Sequence, residues 1–237
     1  IGPQTSIGNM YLGPLYYYMM APALFLSNLD PVGPAIMIAL LSVLTIFLTW
    51  KIARDWFGNQ AAFYTLVLYS LSPVSIIYSH SSWNPNPMPF FAILTIYSIY
   101  LALFKNKFRY LLLSAVSLAG ALQMHYLGLL LIPVVIFWYS SLRLVLKGQS
   151  RILSILNHTS IKALILFLLI MSPLFLFDLR HDFANSRAIG QFFSDRQTTV
   201  NLNPGRSDRL VPVVRQISSD LLLGQQTARM LADLAGA

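Results

Sequence analysis

The chain has 237 residues, of which 56% are hydrophobic and 10% charged, and it carries a formal net charge of +8. A soluble domain has about 25% charged residues, so this is the composition of an integral membrane protein. There is no cysteine, which excludes disulfides and thiolate metal sites, and no glutamate, which leaves carboxylate chemistry to eight aspartates.

Residues 1–9 are polar and lack the basic start and apolar core of a signal peptide. The chain opens on Ile1 in what reads as mid-loop and ends on "LADLAGA", so a piece of a longer protein is expected. Residues 8–26 are apolar and Tyr-rich but interrupted by Pro14 and Pro22, which predicts a helix lying in the membrane interface. Its Tyr run, including Tyr16 and Tyr17, suits either an aromatic belt or the wall of a lipid or sugar groove. "NLDPVGP" then reads as a turn around Asp30.

A helix crosses a bilayer with about 20 mostly apolar residues. Six stretches predict spans: 34–50, 61–79, 87–104, about 109–123, 126–146 and about 161–178. The fourth and fifth would form one run too long for a single span, so a turn is placed at "QMHY". Lys and Arg occupy alternate connections: Lys51 and Arg54, then Lys105, Lys107 and Arg109, then Arg143, Lys147, Arg151 and Lys162. The positive-inside rule makes 51–60, 105–109 and 147–160 cytoplasmic, and 1–33, 80–87, 123–126 and 179–237 extracytoplasmic. The positive charge is thereby assigned to loop anchoring rather than to nucleic acid. The sequon "NHT" at Asn157 falls on the inner side, away from glycosylation.

The polar residues of interest collect on the outer side. In "YSHSSWNPNPMPFF", Pro87 suits the start of the third span, with Asn86 as its expected N-cap and Trp83 at the interface. A turn reading leaves His80 and Asn84 unexplained. In "ALQMHYLGLLL", Gln123 and His125 sit at membrane depth, where polar groups face a wet cavity or tie helices together. In "LFLFDLRHDFANSR", Asp178, Arg180, His181 and Asp182 follow an apolar span. Arg and His suit an anionic phosphate, and Asp suits a sugar hydroxyl, a metal or an orienting role; local ion pairs at the interface are the alternative. Beyond 183 the chain turns polar, and 209–235 predicts an amphipathic helix. No P-loop, G-x-G-x-x-G or H-E-x-x-H occurs, which argues against a nucleotide-using enzyme.

Four stretches together carry a resemblance over about residues 11–185: "LGPLYYYMMAPALFL", "ARDWFGNQAAFYTLVLYSLSPVSIIYSHSSWNP", "SLAGALQMHYLGLLLIP" and "SPLFLFDLRHDF". The chain resembles membrane glycosyltransferases of the GT-C superfamily, in the branch of dolichyl-phosphate-mannose protein mannosyltransferases and lipid A aminoarabinose transferases. The resemblance implies inverting sugar transfer from a polyprenyl-phosphate donor to a lipid, glycan or protein acceptor. The reaction is expected at the extracytoplasmic face of a cell inner or plasma membrane.

The family's catalytic Asp lies in the first outer loop, before the interfacial helix. Asp30 follows that helix, so the base is expected to lie outside this chain. Relatives often show a Lys near "QMHY", where this chain has Gln123 and His125. Arg180, His181, Asp178, Asp182, His125 and Gln123 are the expected donor-binding residues, with His80, Trp83, Asn84, Tyr16 and Tyr17 lining the site. A divalent cation is compatible with this chemistry, but no metal site is assigned.

The expected architecture is all-α, a polytopic transmembrane bundle of about six spans with an outer interfacial helix. Residues 1–182 form the membrane region and 183–237 an extracytoplasmic segment. The competing readings are a secondary transporter or lipid flippase, whose sites sit at midplane on broken helices, and a non-catalytic membrane subunit.

Overall fold

The structure, a computed structural model, describes residues 2–5, 10–145 and 150–194 together with residue 218. Among the described residues it is helical apart from one antiparallel bridge between Gln4 and Tyr11. The helices are α1 (Leu15–Leu26), α2 (Val32–Phe57), α3 (Asn59–Leu71), α4 (Pro73–Ser79), α5 (Met88–Phe104), α6 (Tyr110–Met124), α7 (Leu131–Val145), α8 (Ser150–Arg180) and α9 (Ala184–Ser194), with a 3-10 turn at Tyr126–Leu130.

Helix α6 is the axle of the bundle. It packs on α5 and α8 and also touches α1. Its buried side is built from small residues, Ser114, Ala115, Ser117, Ala119, Gly120 and Ala121, which let neighbouring backbones approach closely where lipid offers no hydrophobic drive. One buried bond joins two of these helices, Thr95 Oγ1 on α5 donating to Ser117 Oγ on α6 at 2.9 Å. Large apolar side chains do the reverse. Ile36, Leu40, Val43 and Phe47 on α2, and Leu164, Ile165, Leu168 and Leu169 on α8, are exposed. Such a surface is stable when its solvent is lipid.

Among the described residues two helices, α2 and the Leu156–Arg180 part of α8, are long and apolar enough to cross a membrane. The pair α3–α4 makes a third if it is taken as one bent span, while α1, α5, α6 and Tyr126–Ser141 are apolar but shorter. The expected span at 61–79 is therefore broken, with a 59° bend between its halves. Pro73 is the cause: it has no N–H to continue the ladder and holds Ser72 extended at φ −64°, ψ 120°.

Two connections expected as loops are largely helical. Helix α2 runs on to Phe57, where Lys51 and Asp55 form an i,i+4 ion pair, and it stops at Gly58. Gly58 has φ +90°, a conformation that a side chain would strain. Helix α8 begins at Ser150, inside the expected loop 147–160. The turn placed at "QMHY" is present, with His125 extended at φ −158°, ψ 144°. The amphipathic helix expected at 209–235 lies outside the described residues, apart from Ser218.

Candidate functional site

The antiparallel order of the helices separates two polar ends. At one end the last turns of α2 and α5 and the α5–α6 connection bring Lys51, Lys105 and Lys107 around one pocket. At the other, the N-terminal segment, the loop after α4, the α6 turn and the α8–α9 corner are linked by hydrogen bonds. All the site residues expected from the sequence are at this second end.

The stretch after α4 is held by its asparagines. Asn84 is buried, and its Nδ2 donates to the Met124 carbonyl at 2.9 Å, which satisfies the open C-terminus of α6. Asn86 is not the N-cap of α5: its Nδ2 donates to the carbonyls of Tyr78 at 2.9 Å and Ser81 at 2.8 Å, while Pro87 occupies the cap position without a side-chain bond. An amide can donate as well as accept, and here the carbonyls left open where α4 ends take the donor. His80 Nδ1 lies 2.6 Å from the Ile76 carbonyl, so this ring also closes the end of α4. Trp83 is 55% exposed.

Beneath this stretch α2, α3, α4 and the start of α5 enclose a cavity of about 540 Å³. Its walls are apolar at Val43, Ile46, Val74 and Ile76, and His80, Trp83 and Asn86 line it where the chain leaves α4. Tyr16 is buried on the α1 side and shares a 2.6 Å hydrogen bond with Ser82, whereas Tyr17 is exposed.

Gln123 is buried, and its Nε2 donates to the Ile170 carbonyl on α8 at 3.0 Å. This bond falls beside Pro173, which cannot donate to the Leu169 carbonyl; Ser172 Oγ donates there at 2.7 Å. A methyl group added at Gly13 would overlap the Gln123 side chain, so the N-terminal segment passes directly over this residue. His125 Nδ1 accepts from the Leu127 N–H at 3.2 Å, and the ring lies against Tyr126, tilted by 32° with centroids 4.3 Å apart. Burial holds its pKa below the ordinary value. A neutral ring that accepts at Nδ1 carries its proton on Nε2.

The cluster after α8 is not an ion-pair cluster. Asp178 Oδ1 accepts from the Asn185 N–H at 2.6 Å, and Oδ2 accepts from the Ser186 N–H and hydroxyl. It therefore caps the first turn of α9. Asn185 in turn pairs with the Tyr11 backbone in both directions, accepting at 2.7 Å and donating at 3.1 Å. His181 stacks on Phe177 at 4.0 Å with Nδ1 at 2.9 Å from the Phe177 carbonyl. Arg180 and Asp182 are exposed, and among the described residues neither has a side-chain partner. Asp182 and Phe183 sit at φ +51° and +57°, the left-handed turn that reverses the chain into α9.

The structure thus divides the expected residues. Asp178, Asn84 and Gln123 hold helix ends or helix pairs together. Among the described residues, Arg180, Asp182, Tyr17 and Trp83 present unpaired polar groups, and His80, His125 and His181 keep one ring nitrogen free. Among the described residues, no three His or Asp side chains lie close enough to share a metal ion. Ser82, Asn185 and Gly13 were not expected. Each acts through a neighbour 66 residues or more away or through a close backbone passage, for which no local sequence pattern exists.

A family model described as dolichyl-phosphate-mannose-protein mannosyltransferase matches residues 12–177. No curated protein and no solved structure matches the chain.

Proposed function

Because the chain belongs to the dolichyl-phosphate-mannose-protein mannosyltransferase family, a family of membrane glycosyltransferases, we propose that it moves a sugar from a polyprenyl-phosphate donor to an acceptor. The acceptor is a lipid, a glycan or a protein, and transfer takes place at the extracytoplasmic face with inversion. The observation that carries this reading is the two-part cavity under the loop after α4. Apolar walls from α2 and α4 suit an isoprenoid tail, and the His80–Trp83 edge suits a headgroup at the interface.

In this reading Arg180 takes the donor phosphate through its guanidinium fork, which no carboxylate of the described residues occupies. His125 donates its Nε2–H to a phosphate or sugar oxygen, and His181, whose Nδ1–H is taken by the Phe177 carbonyl, accepts at Nε2 from a sugar hydroxyl. Asp182 accepts a sugar hydroxyl. Asp178, Asn84 and Gln123 position these groups by fixing the α8–α9 corner and the α6 turn. Aromatic Tyr17 and Trp83 border the lipid and the sugar. The lysines at the opposite end support the outer assignment.

The test uses the full-length protein in liposomes with a panel of radiolabelled polyprenyl-phosphate sugars. Wild type should transfer one or a few of them, and Arg180→Ala should fold normally but lose transfer by about 100-fold, with Arg180→Lys intermediate. Lipid or solute crossing the bilayer without consumption of any donor would overturn the reading in favour of a transporter.

A further inference from the structure

The lysine-bearing end of the bundle has a pocket that holds none of the residues assigned to sugar transfer. It encloses about 560 Å³ between the last turns of α2 and α5 and the start of α6. Leu48, Leu94, Leu101 and Leu113 form its apolar part, and Lys51, Lys105 and Lys107 its cationic part. One carboxylate lines it, Asp55, which is held by Lys51 at 2.6 and 2.8 Å and by the Tyr97 hydroxyl at 2.7 Å. Asp55 therefore neutralises Lys51. Lys105 and Lys107 form no ion pair among the described residues, although Lys105 is near enough to add to the positive field on Asp55; the Lys105 ammonium lies 5.9 Å from the centroid of the Tyr100 ring.

Ser98 lines the same pocket and is fully buried, and its hydroxyl has no hydrogen-bond partner among the described residues. That is unusual for this chain. Ser42, Thr45, Thr49, Thr95, Ser117 and Ser160 each donate to the carbonyl four residues back. Leaving a buried hydroxyl unpaired is destabilising, so Ser98 marks a place where an acceptor from outside the chain belongs.

Two exposed ammonium groups outside any ion pair among the described residues, an unpaired buried donor and a leucine wall together describe a ligand with an anionic oxygen group attached to an apolar chain. We propose that this pocket binds the phosphate of an anionic amphiphile, with Lys105 and Lys107 on the phosphate oxygens and the Ser98 hydroxyl donating into the same group. The shared chemistry is a phosphate; a membrane lipid and free phosphate are its two sources. The inference does not depend on the sugar-transfer reading, because it uses none of the residues assigned there.

The full chain is placed in phosphatidylcholine nanodiscs, and its thermal unfolding midpoint is followed while phosphatidic acid, or inorganic phosphate in a separate arm, is added. Saturable stabilisation by phosphatidic acid is expected, weakened about tenfold in apparent affinity by Lys105→Ala or Lys107→Ala, the loss of one charge-assisted contact. Lys162→Ala, an exposed lysine on α8 outside the pocket, should leave it unchanged. Ser98→Ala gives a signature of opposite signs: the midpoint without ligand rises, because a buried unpaired hydroxyl is removed, while ligand stabilisation falls. Saturation by inorganic phosphate with the same Lys105 dependence would support the site and identify a soluble occupant. No saturable response in either arm, or an equal loss in Lys162→Ala, would overturn the proposal.

Discussion

The Asn84 side-chain amide donates to the Met124 backbone carbonyl at 2.9 Å across 40 residues of sequence, in a buried position. This bond closes the C-terminus of the most buried helix with a group from a different loop. Asn84→Ala leaves the carbonyl buried and unpaired, and we expect a loss of about 1–3 kcal/mol. Asn84→Asp should be worse, since it removes the donor and turns a carboxylate toward a carbonyl oxygen. Unfolding midpoints of the purified variants in detergent decide this, and an unchanged midpoint for both would show that the bond contributes nothing.

His125 makes the protein acid-sensitive. Its pKa is lowered by burial, so between that lowered value and the ordinary 6.5 the unfolded chain binds a proton that the folded chain does not. Stability therefore falls as pH drops below about 6.5. Protonation also converts the Nδ1 that accepts from Leu127 into a donor. His125→Asn keeps a side-chain acceptor at this cap and should flatten the profile between pH 7.5 and 5.5. An identical slope in wild type and variant would assign the sensitivity to another group.

Asp178 separates a structural role from a binding role. Asp178→Ala removes three contacts at the start of α9 and should cost about 0.5–2 kcal/mol, the usual value of a helix cap. Hydrogen exchange should show faster opening of α9 and, through Asn185, of the Tyr11 amide. Asp178→Asn retains one acceptor oxygen and should recover most of this protection. If Asp178→Asn exchanges as fast as Asp178→Ala, charge rather than capping is what matters.

Gly13→Ala is expected to act through Gln123. The added methyl overlaps the Gln123 side chain, which is buried and bonded to Ile170 and so has little room to yield. The expected cost is about 1–3 kcal/mol. In a Gln123→Ala background, where the space is free, the same substitution should cost much less. Additive effects in this double-mutant cycle would refute direct contact.

The sequence makes some of these features legible and hides others for identifiable reasons. The break at His125 was visible because the apolar run was too long for one span, and the second polar end was visible through the alternation of lysine-bearing connections. The 59° bend between α3 and α4 was missed, although Pro73 stands in the middle of the expected span, because hydropathy counts residues and ignores backbone donors. Asn86 has the residue type and spacing of a helix cap and still became a donor to Tyr78 and Ser81; only the nearby open carbonyls decide between the two uses. Asp178 looks like part of a charged constellation, and its role as a cap depends on a helix that starts six residues later, short and amphipathic, in a stretch whose overall polarity reads as loop.

The asparagine and glutamine fastenings at the second polar end share one property. Asn84 reaches Met124, Gln123 reaches Ile170, Asn86 reaches Tyr78 and Ser81, and Asn185 reaches Tyr11, each through the partner's main chain, with Asn86 also meeting the Ser81 hydroxyl. Every residue has that main chain, so the fastenings are one-sided in heredity. Replacing Ile170 or Met124 by another apolar residue keeps the acceptor, while replacing Gln123 or Asn84 destroys the bond. A deep mutational scan should therefore find narrow tolerance on one side of each contact and broad tolerance on the other, and paired substitutions should not rescue one another. The walls around the site can then drift in shape while its frame stays in place, which lets such a scaffold accept a different sugar or acceptor without first having to be rebuilt.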